Sequence, residues 1–228
     1  MYTNVNLLAP AGALLFLGTA FLIVGLSVLL IFSFIKKRSS LRKFSAVAIA
    51  LVAALYLSLL LIFSLSSSEK VLVRGEEKHF CEIDCHLAYS VIDSRATKTL
   101  GAAPNQVNAK GMFRVVTIKT RFDETTISRT RGDALLYPNS RVLAVIDANG
   151  KQYFPSAEGE NLLQGLNQAG MPFTTPLRPG ESYQTTVVFD LPAEIQNPTL
   201  LIHEGEPETH FVIGHENSLL HKKTRFQL

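Results

Sequence analysis

The chain has 228 residues, of which 47% are hydrophobic and only 18% charged, with a mean hydropathy of +0.20; soluble domains of this size carry about a quarter charged residues. No acidic residue precedes Glu69, and the five basic ones that do (Lys36, Lys37, Arg38, Arg42 and Lys43) account for more than the whole net charge of +3. This excludes a simple soluble enzyme, a disordered chain and a secreted mini-protein, and from Glu69 onward acidic residues outnumber basic ones, so the positive net charge is no evidence for nucleic-acid binding, which needs a basic face on the folded domain.

Residues 7–35 and 44–68 are uncharged and dominated by apolar side chains. Each run exceeds the roughly 20 residues a helix needs to cross about 30 Å of hydrocarbon. A crossing backbone must satisfy its own amides, so both are expected to be helices, at about 7–35 and 44–66. The first run lacks a basic leader and has a second span behind it, so an uncleaved hairpin is expected over residues 1–68 rather than a signal peptide. The basic loop at 36–43 should stay in the cytoplasm by the positive-inside bias. Both termini and residues 69–228 then face the periplasmic or exterior side of a bacterial cytoplasmic membrane. Neither span carries an ionisable residue in its apolar part, which argues against an ion or proton path.

Residues 69–228 read as one strand-rich exported domain, long enough for its own core. Strands are expected at 113–122, 141–147, 152–154, 183–191, 199–203, 210–213 and 224–228, and a short helix at 160–169. Asn149-Gly150 supplies the positive φ angles of a tight hairpin, and Pro179-Gly180 turns the chain before the 183–191 strand. His203-Glu204-Gly205-Glu206 with Glu208 reads as an exposed acidic turn. Arg121, Arg129 and Arg131 border a polar stretch, 123–139, that reads as either a docking loop or a solvated connection.

Leu177-Arg178-Pro179-Gly180-Glu181-Ser182-Tyr183 leading into Val187-Val188-Phe189-Asp190-Leu191-Pro192, with the hairpin Asp147-Ala148-Asn149-Gly150-Lys151-Gln152-Tyr153 before it, resembles a segment of secreted bacterial immunoglobulin-like sandwiches of the mycobacterial immunoprotective-antigen type. The resemblance covers about residues 110–215. It implies an all-β immunoglobulin-like sandwich behind the transmembrane helical hairpin and carries no common activity, so function has to be argued from a site.

The residues capable of chemistry gather in two places: His79-Phe80-Cys81-Glu82-Ile83-Asp84-Cys85-His86, which holds both cysteines, and the tail from His210 through His215 to His221. Two thiols on an oxidising side call for a partner. A Cys81–Cys85 disulfide needs Cα atoms within about 7 Å, whereas residues four apart on a straight strand lie about 13 Å apart, so the segment must turn. A metal site is the alternative, with Cys81, Cys85 and His86 as ligands and His79, His215 or His221 completing the shell; thiolate and imidazole suit copper or zinc. Covalent haem is a third reading, with Cys81-x-x-x-Cys85-His86 as a stretched attachment motif and His86 as proximal ligand.

The Cys-x-x-x-Cys order also resembles the copper loop of cytochrome oxidase subunit II, which likewise joins a two-helix hairpin to an exported sandwich. Tyr89 and Ile92 stand where that pattern has His and Met, which confines the likeness to the two cysteines. Hydrolase elbows, phosphate loops, dinucleotide fingerprints and His-Glu-x-x-His are absent from the sequence.

The expectation is therefore a non-catalytic, membrane-anchored binding or accessory protein. It would carry a copper-type site and serve an electron-transfer or respiratory membrane complex, with the lipid bilayer as its other partner. Two alternatives stand beside it: a structural subunit or interaction module without cofactor, clamped by a Cys81–Cys85 bridge, and a redox carrier with copper or c-type haem.

Overall fold

The computed structural model describes residues 8–82, 85–128 and 131–228; the side chains of residues 8–10 and of Cys85 are outside the description. The chain divides into two compact units. One comprises Glu69–Gly205 with Thr224–Leu228, the other Asn6–Ser68 with Glu206–Lys223.

The second unit is built on two helices, α1 (Leu8–Ile35) and α2 (Ser39–Leu65). Both are long and apolar enough to cross a membrane. Their side chains are largely bare, with Phe21 77% and Ile35 71% exposed, whereas the core helix of a soluble domain would bury one apolar stripe. The basic loop is shorter than expected. Only Lys36, Lys37 and Arg38 lie between the helices, while Arg42 and Lys43 fall on α2, Arg42 with its guanidinium 5.0 Å from the Phe34 ring centroid.

The expected strand at 210–213 does not form. Pro207–Phe211 is a 3₁₀ turn instead, opened by the proline whose ring presets the helical φ. It begins a segment that packs with the helices. Ile213 joins a cluster with Tyr56 and Leu60, flanked by Phe16 and Leu59. The Tyr56 hydroxyl donates to the Phe211 carbonyl at 2.5 Å, and the Lys222 amide donates to Ser67 Oγ at 2.8 Å.

The β unit is a two-sheet sandwich. Its strands are β1 (Lys70–Leu72), β2 (Lys78–Glu82), β3 (Cys85–Leu100), β4 (Val107–Asp123), β5 (Arg141–Ile146), β6 (Gln152–Tyr153), β7 (Ser182–Leu191), β8 (Thr199–Glu204) and β9 (Thr224–Gln227). One sheet runs β1-β9-β8-β5-β6 and the other β2-β3-β4-β7. Leu143, Val145, Leu200, Ile202 and Phe226 of the first interlock with Phe80, Leu87, Tyr89, Ile118, Phe122 and Phe189 of the second. A helix, α3 (Ala157–Gly165), is capped by Ser156 Oγ and seats Leu163 over Phe113, Val115 and Val188 on the outer face of the second sheet. It starts three residues earlier than the sequence suggests, because Ser156 accepts the orphan Gly159 amide.

At Asn149-Gly150 only Gly150 takes a positive φ, of 80°. The turn is held by Asp147, whose carboxylate accepts the amides of Asn149 and Lys151 at 2.9 Å each. The Pro179-Gly180 turn forms as expected, with Gly180 at φ 81° and the Glu181 amide donating to the Arg178 carbonyl at 3.0 Å.

Candidate functional site

Strand β2 and the start of β3 were not legible as strands, yet they build the part of the molecule richest in chemistry. Alternate residues of a strand point to opposite faces. Lys78, Phe80 and Glu82 therefore face the sandwich interior, and His79 and Cys81 the other side.

The interior face carries two buried cations. Lys78 donates from Nζ to the carbonyls of Ile202 at 2.7 Å and Thr224 at 3.1 Å, tying the edge of one sheet to two strands of the other. The side chain of Arg141 is fully buried. It pairs with Glu82 and lies 4.5 Å from the Phe80 ring centroid and 5.5 Å from that of Tyr89. Asn139 Nδ2 donates to the other Glu82 oxygen at 2.6 Å. Burial pushes the Glu82 carboxyl above its ordinary value against the pull of Arg141. Glu204, expected on an exposed acidic turn, is instead buried at the end of β8, with Oε1 4.0 Å from Arg141. That turn is corrected accordingly: a buried guanidinium draws in a second carboxylate.

On the opposite face, ladder register sets two rungs side by side. Cys81 pairs with His86, and His86 with Asp123; His79 pairs with Ala88, and Ala88 with Arg121. His79 is 2% and Asp123 0% exposed, His86 is buried, and Cys81 is exposed. His79 Nε2 lies 3.2 Å from Asp123 Oδ2 and 3.7 Å from Glu77, without the alignment of a hydrogen bond to either. Both His79 ring nitrogens, His86 Nδ1 and Asp123 Oδ2 find no hydrogen-bond partner among the described residues.

The rest of the cluster is satisfied. Asp123 Oδ1 accepts from the Thr125 amide at 3.0 Å and hydroxyl at 2.7 Å. Arg121 forms a two-pronged pair with Glu77, both contacts 2.8 Å, and a third bond to Glu124 at 3.0 Å.

These contacts set the protonation states. Burial pushes Asp123 up, but the two Thr125 bonds together with Arg121 and His79 bring it below the ordinary carboxylate value. The Arg121 hydrogen bonds hold Glu77 low. Burial, aided by the charge of His79 and opposed by Asp123, lowers the pKa of His86 and favours a neutral imidazole. A neutral imidazole nitrogen can accept a proton or donate a lone pair to a cation.

The residues expected to form a metal site divide between the two units. Cys81, Cys85 and His86 belong to the sandwich, His215 and His221 to the helical unit. Cys81 and His86 share a rung, and the backbone of Cys85 pairs with that of Glu82 one rung away. The disulfide and the ligand role of Cys85 rest on a side chain outside the described residues, as does Arg129. Within the helical unit, His215 Nδ1 accepts the Asn217 amide at 3.0 Å and His221 Nδ1 lies 2.7 Å from the Lys222 carbonyl. Among the described residues no three His, Cys, Asp or Glu side chains are grouped as a metal ion requires.

Asp123, Glu77 and Arg121 were missed as members of one cluster. The alternation of 79 with 81 and of 121 with 123 was available in the sequence, but only strand pairing makes the rungs visible.

No protein-family model and no curated protein matches the sequence. Solved structures similar to the chain include a secreted protein of Mycobacterium tuberculosis, MPT63, at 12% identity and a TM-score of 0.43, covering 72% of this chain and 100% of that one. A conserved hypothetical protein of Bacillus anthracis also matches at 12% identity and a TM-score of 0.41, covering 57% of this chain and 89% of the other. At such identity and overlap neither lends this chain a role. What the chain's own geometry defines is a β-sandwich joined to an apolar helical hairpin.

Proposed function

We propose that the chain is a membrane-anchored accessory or binding protein, held in a bacterial cytoplasmic membrane by α1 and α2, with its sandwich on the outer side. The observation that carries this reading is the bare apolar surface of both helices: side chains such as Phe21, Ile35, Leu51 and Leu55 are mostly exposed on helices that bury almost nothing against the rest of the chain. Water would penalise that surface by about 25 cal/mol per Å², and hydrocarbon would not. The cluster Lys36, Lys37, Arg38, Arg42 and Lys43 supports a cytoplasmic connection between the helices.

The test is labelling of intact cells with a membrane-impermeant maleimide, with single cysteines placed in a Cys81→Ser/Cys85→Ser background. Asn149→Cys should react from outside and Ser40→Cys only after the membrane is opened. Ser40→Cys reacting in intact cells overturns the orientation.

A second reading concerns what the sandwich binds: a soft cation of copper type held by Cys81, Cys85 and His86, with His79 beside them, in service of an electron-transfer or respiratory complex of the same membrane. The orphaned buried ring nitrogens of His79 and His86 favour it. Metal analysis of the reduced, anaerobically purified full-length protein decides it. Absence of stoichiometric metal together with an intact Cys81–Cys85 bridge removes the cation and leaves a structural clamp.

A further inference from the structure

We infer that the segment Glu206–Lys223 is a lipid-embedded loop that lies in the outer leaflet of the bilayer against α1 and α2; this rests on the membrane-anchored reading above. The first argument is depth. Tyr56 stands nine residues before Leu65, the last residue of α2, which at 1.5 Å per residue is about 13 Å below the helix end. One leaflet of hydrocarbon is about 15 Å thick. The Phe211 carbonyl that accepts the Tyr56 hydroxyl at 2.5 Å is therefore at acyl-chain level when α2 spans. On α1 the same loop meets Gly12, where any Cβ would collide with the Ile213 carbonyl, so glycine is what lets the loop backbone approach the helix this closely.

The second argument is the arrangement of polar and apolar groups, which is inverted relative to a soluble loop. Polar groups turn inward and satisfy one another. Asn217, 7% exposed, donates from Nδ2 to Thr209 Oγ1 at 2.8 Å and has His210 Nδ1 at 3.1 Å, while its amide donates to His215 Nδ1. Ser218 Oγ donates to the Val212 carbonyl, and the Leu219 amide donates to the His210 carbonyl at 3.0 Å. Non-helical backbone is tolerated at membrane depth only when its polar groups are satisfied within the protein. Apolar side chains turn outward instead: Phe211 is 45% and Leu220 67% exposed, and Leu219 lies bare beside Leu220. Leu220 is held at φ 61°, uncommon for a residue with a Cβ. Glu206 and Glu208 at one end, and Lys222 and Lys223 at the other, carry charges suited to the headgroup level; Glu216, between them, is half-buried, and Lys223 Nζ reaches back to donate to its carbonyl and, at 3.4 Å, to Asn217 Oδ1.

The chain contains no tryptophan, so single tryptophans report position directly. Phe211→Trp, Leu220→Trp, Phe21→Trp on α1 and Phe154→Trp on the sandwich are each reconstituted, as full-length protein, into phosphatidylcholine vesicles with or without bromine-labelled acyl chains. The expected result is blue-shifted emission for Phe211→Trp and Leu220→Trp, with loss of intensity to bromolipid and resistance to aqueous iodide, as for Phe21→Trp, while Phe154→Trp is quenched by iodide alone. Iodide quenching of Phe211→Trp and Leu220→Trp, with Phe21→Trp still quenched by bromolipid, overturns the loop and leaves the anchor standing. Protection of the two from both quenchers means that protein covers them and also overturns it. Escape of Phe21→Trp from bromolipid overturns the anchor and the loop together.

Discussion

The ammonium group of Lys78 donates to the backbone carbonyl of Ile202 at 2.7 Å, from the edge strand of one sheet to a central strand of the other. A second bond, to the Thr224 carbonyl, makes this side chain a bolt through the sandwich interior. Lys78→Met keeps the stem's packing and removes the charge, leaving the buried Ile202 carbonyl and the half-buried Thr224 carbonyl to find other partners. The expected loss is about 1–3 kcal/mol per orphaned group, read as a lower urea midpoint with an unchanged slope.

Arg141 and Glu82 form a buried ion pair, and removing one partner strands the other. Arg141→Ala should cost about 3–5 kcal/mol, whereas Arg141→Met with Glu82→Leu should cost far less. A double-mutant cycle by denaturant unfolding checks this. Equal losses in the single and double variants would show that the aromatic stacking of Arg141, rather than its charge, is what matters.

His86 and Asp123 give the sandwich an acid-sensitive end. Both folded-state pKa values lie below their ordinary values of 6.5 and 3.8. Between folded and unfolded values the unfolded chain binds more protons, so stability rises with pH there and is lost on acidification. The unfolding midpoint should therefore fall as the pH drops below about 6.5, with a second decline below about 4. His86→Asn should flatten the upper step and Asp123→Asn the lower one. Glu82 works the other way: its raised pKa contributes stability that is lost as the pH climbs through its folded value.

Gly111 on β4 leaves no room for a side chain, since a Cβ there would run into the Leu191 carbonyl of β7. Gly111→Ala must push the two strands apart where Lys110 and Gly111 donate their amides to Asp190 at 2.8 and 3.0 Å. A loss of about 1–3 kcal/mol is expected from overpacking, with faster amide exchange along the Met112–Leu191 end of the ladder. Gly132→Ala, with open space around it but a φ of 62°, should cost less.

Tyr56→Phe removes the hydroxyl that holds the Phe211 carbonyl. Hydrogen bonds between membrane-embedded groups are worth about 0.6 kcal/mol on average, up to about 1.7. Overall stability should change little, while hydrogen exchange at residues 209–214 of the full-length protein in detergent should quicken. Unchanged exchange there would show that Ile213 packing alone holds the segment.

How much of this was legible follows from how local each cause is. Composition and run length determined the two helices, because hydrocarbon offers a backbone no partner but itself, and β-branched runs with Asp147, Gly150 and Gly180 at the turns determined most of the sandwich strands. β3 escaped because Ser90, Asp93, Ser94 and Arg95 interrupt its alternation; its inward residues Leu87, Tyr89 and Val91 gain their meaning only against β4. Residues 210–213 read locally as a strand, but Pro207–Phe211 forms a 3₁₀ turn because proline and the helix contacts outweigh propensity. Tertiary structure alone decided that His79, His86 and Asp123 meet, that Lys78, Arg141 and Glu204 are buried, and that Ile213 packs beside Tyr56. Those pairings depend on strand register and on contacts between residues far apart in the chain, and in the sandwich a one-residue slip of register would send each strand side chain to the opposite face.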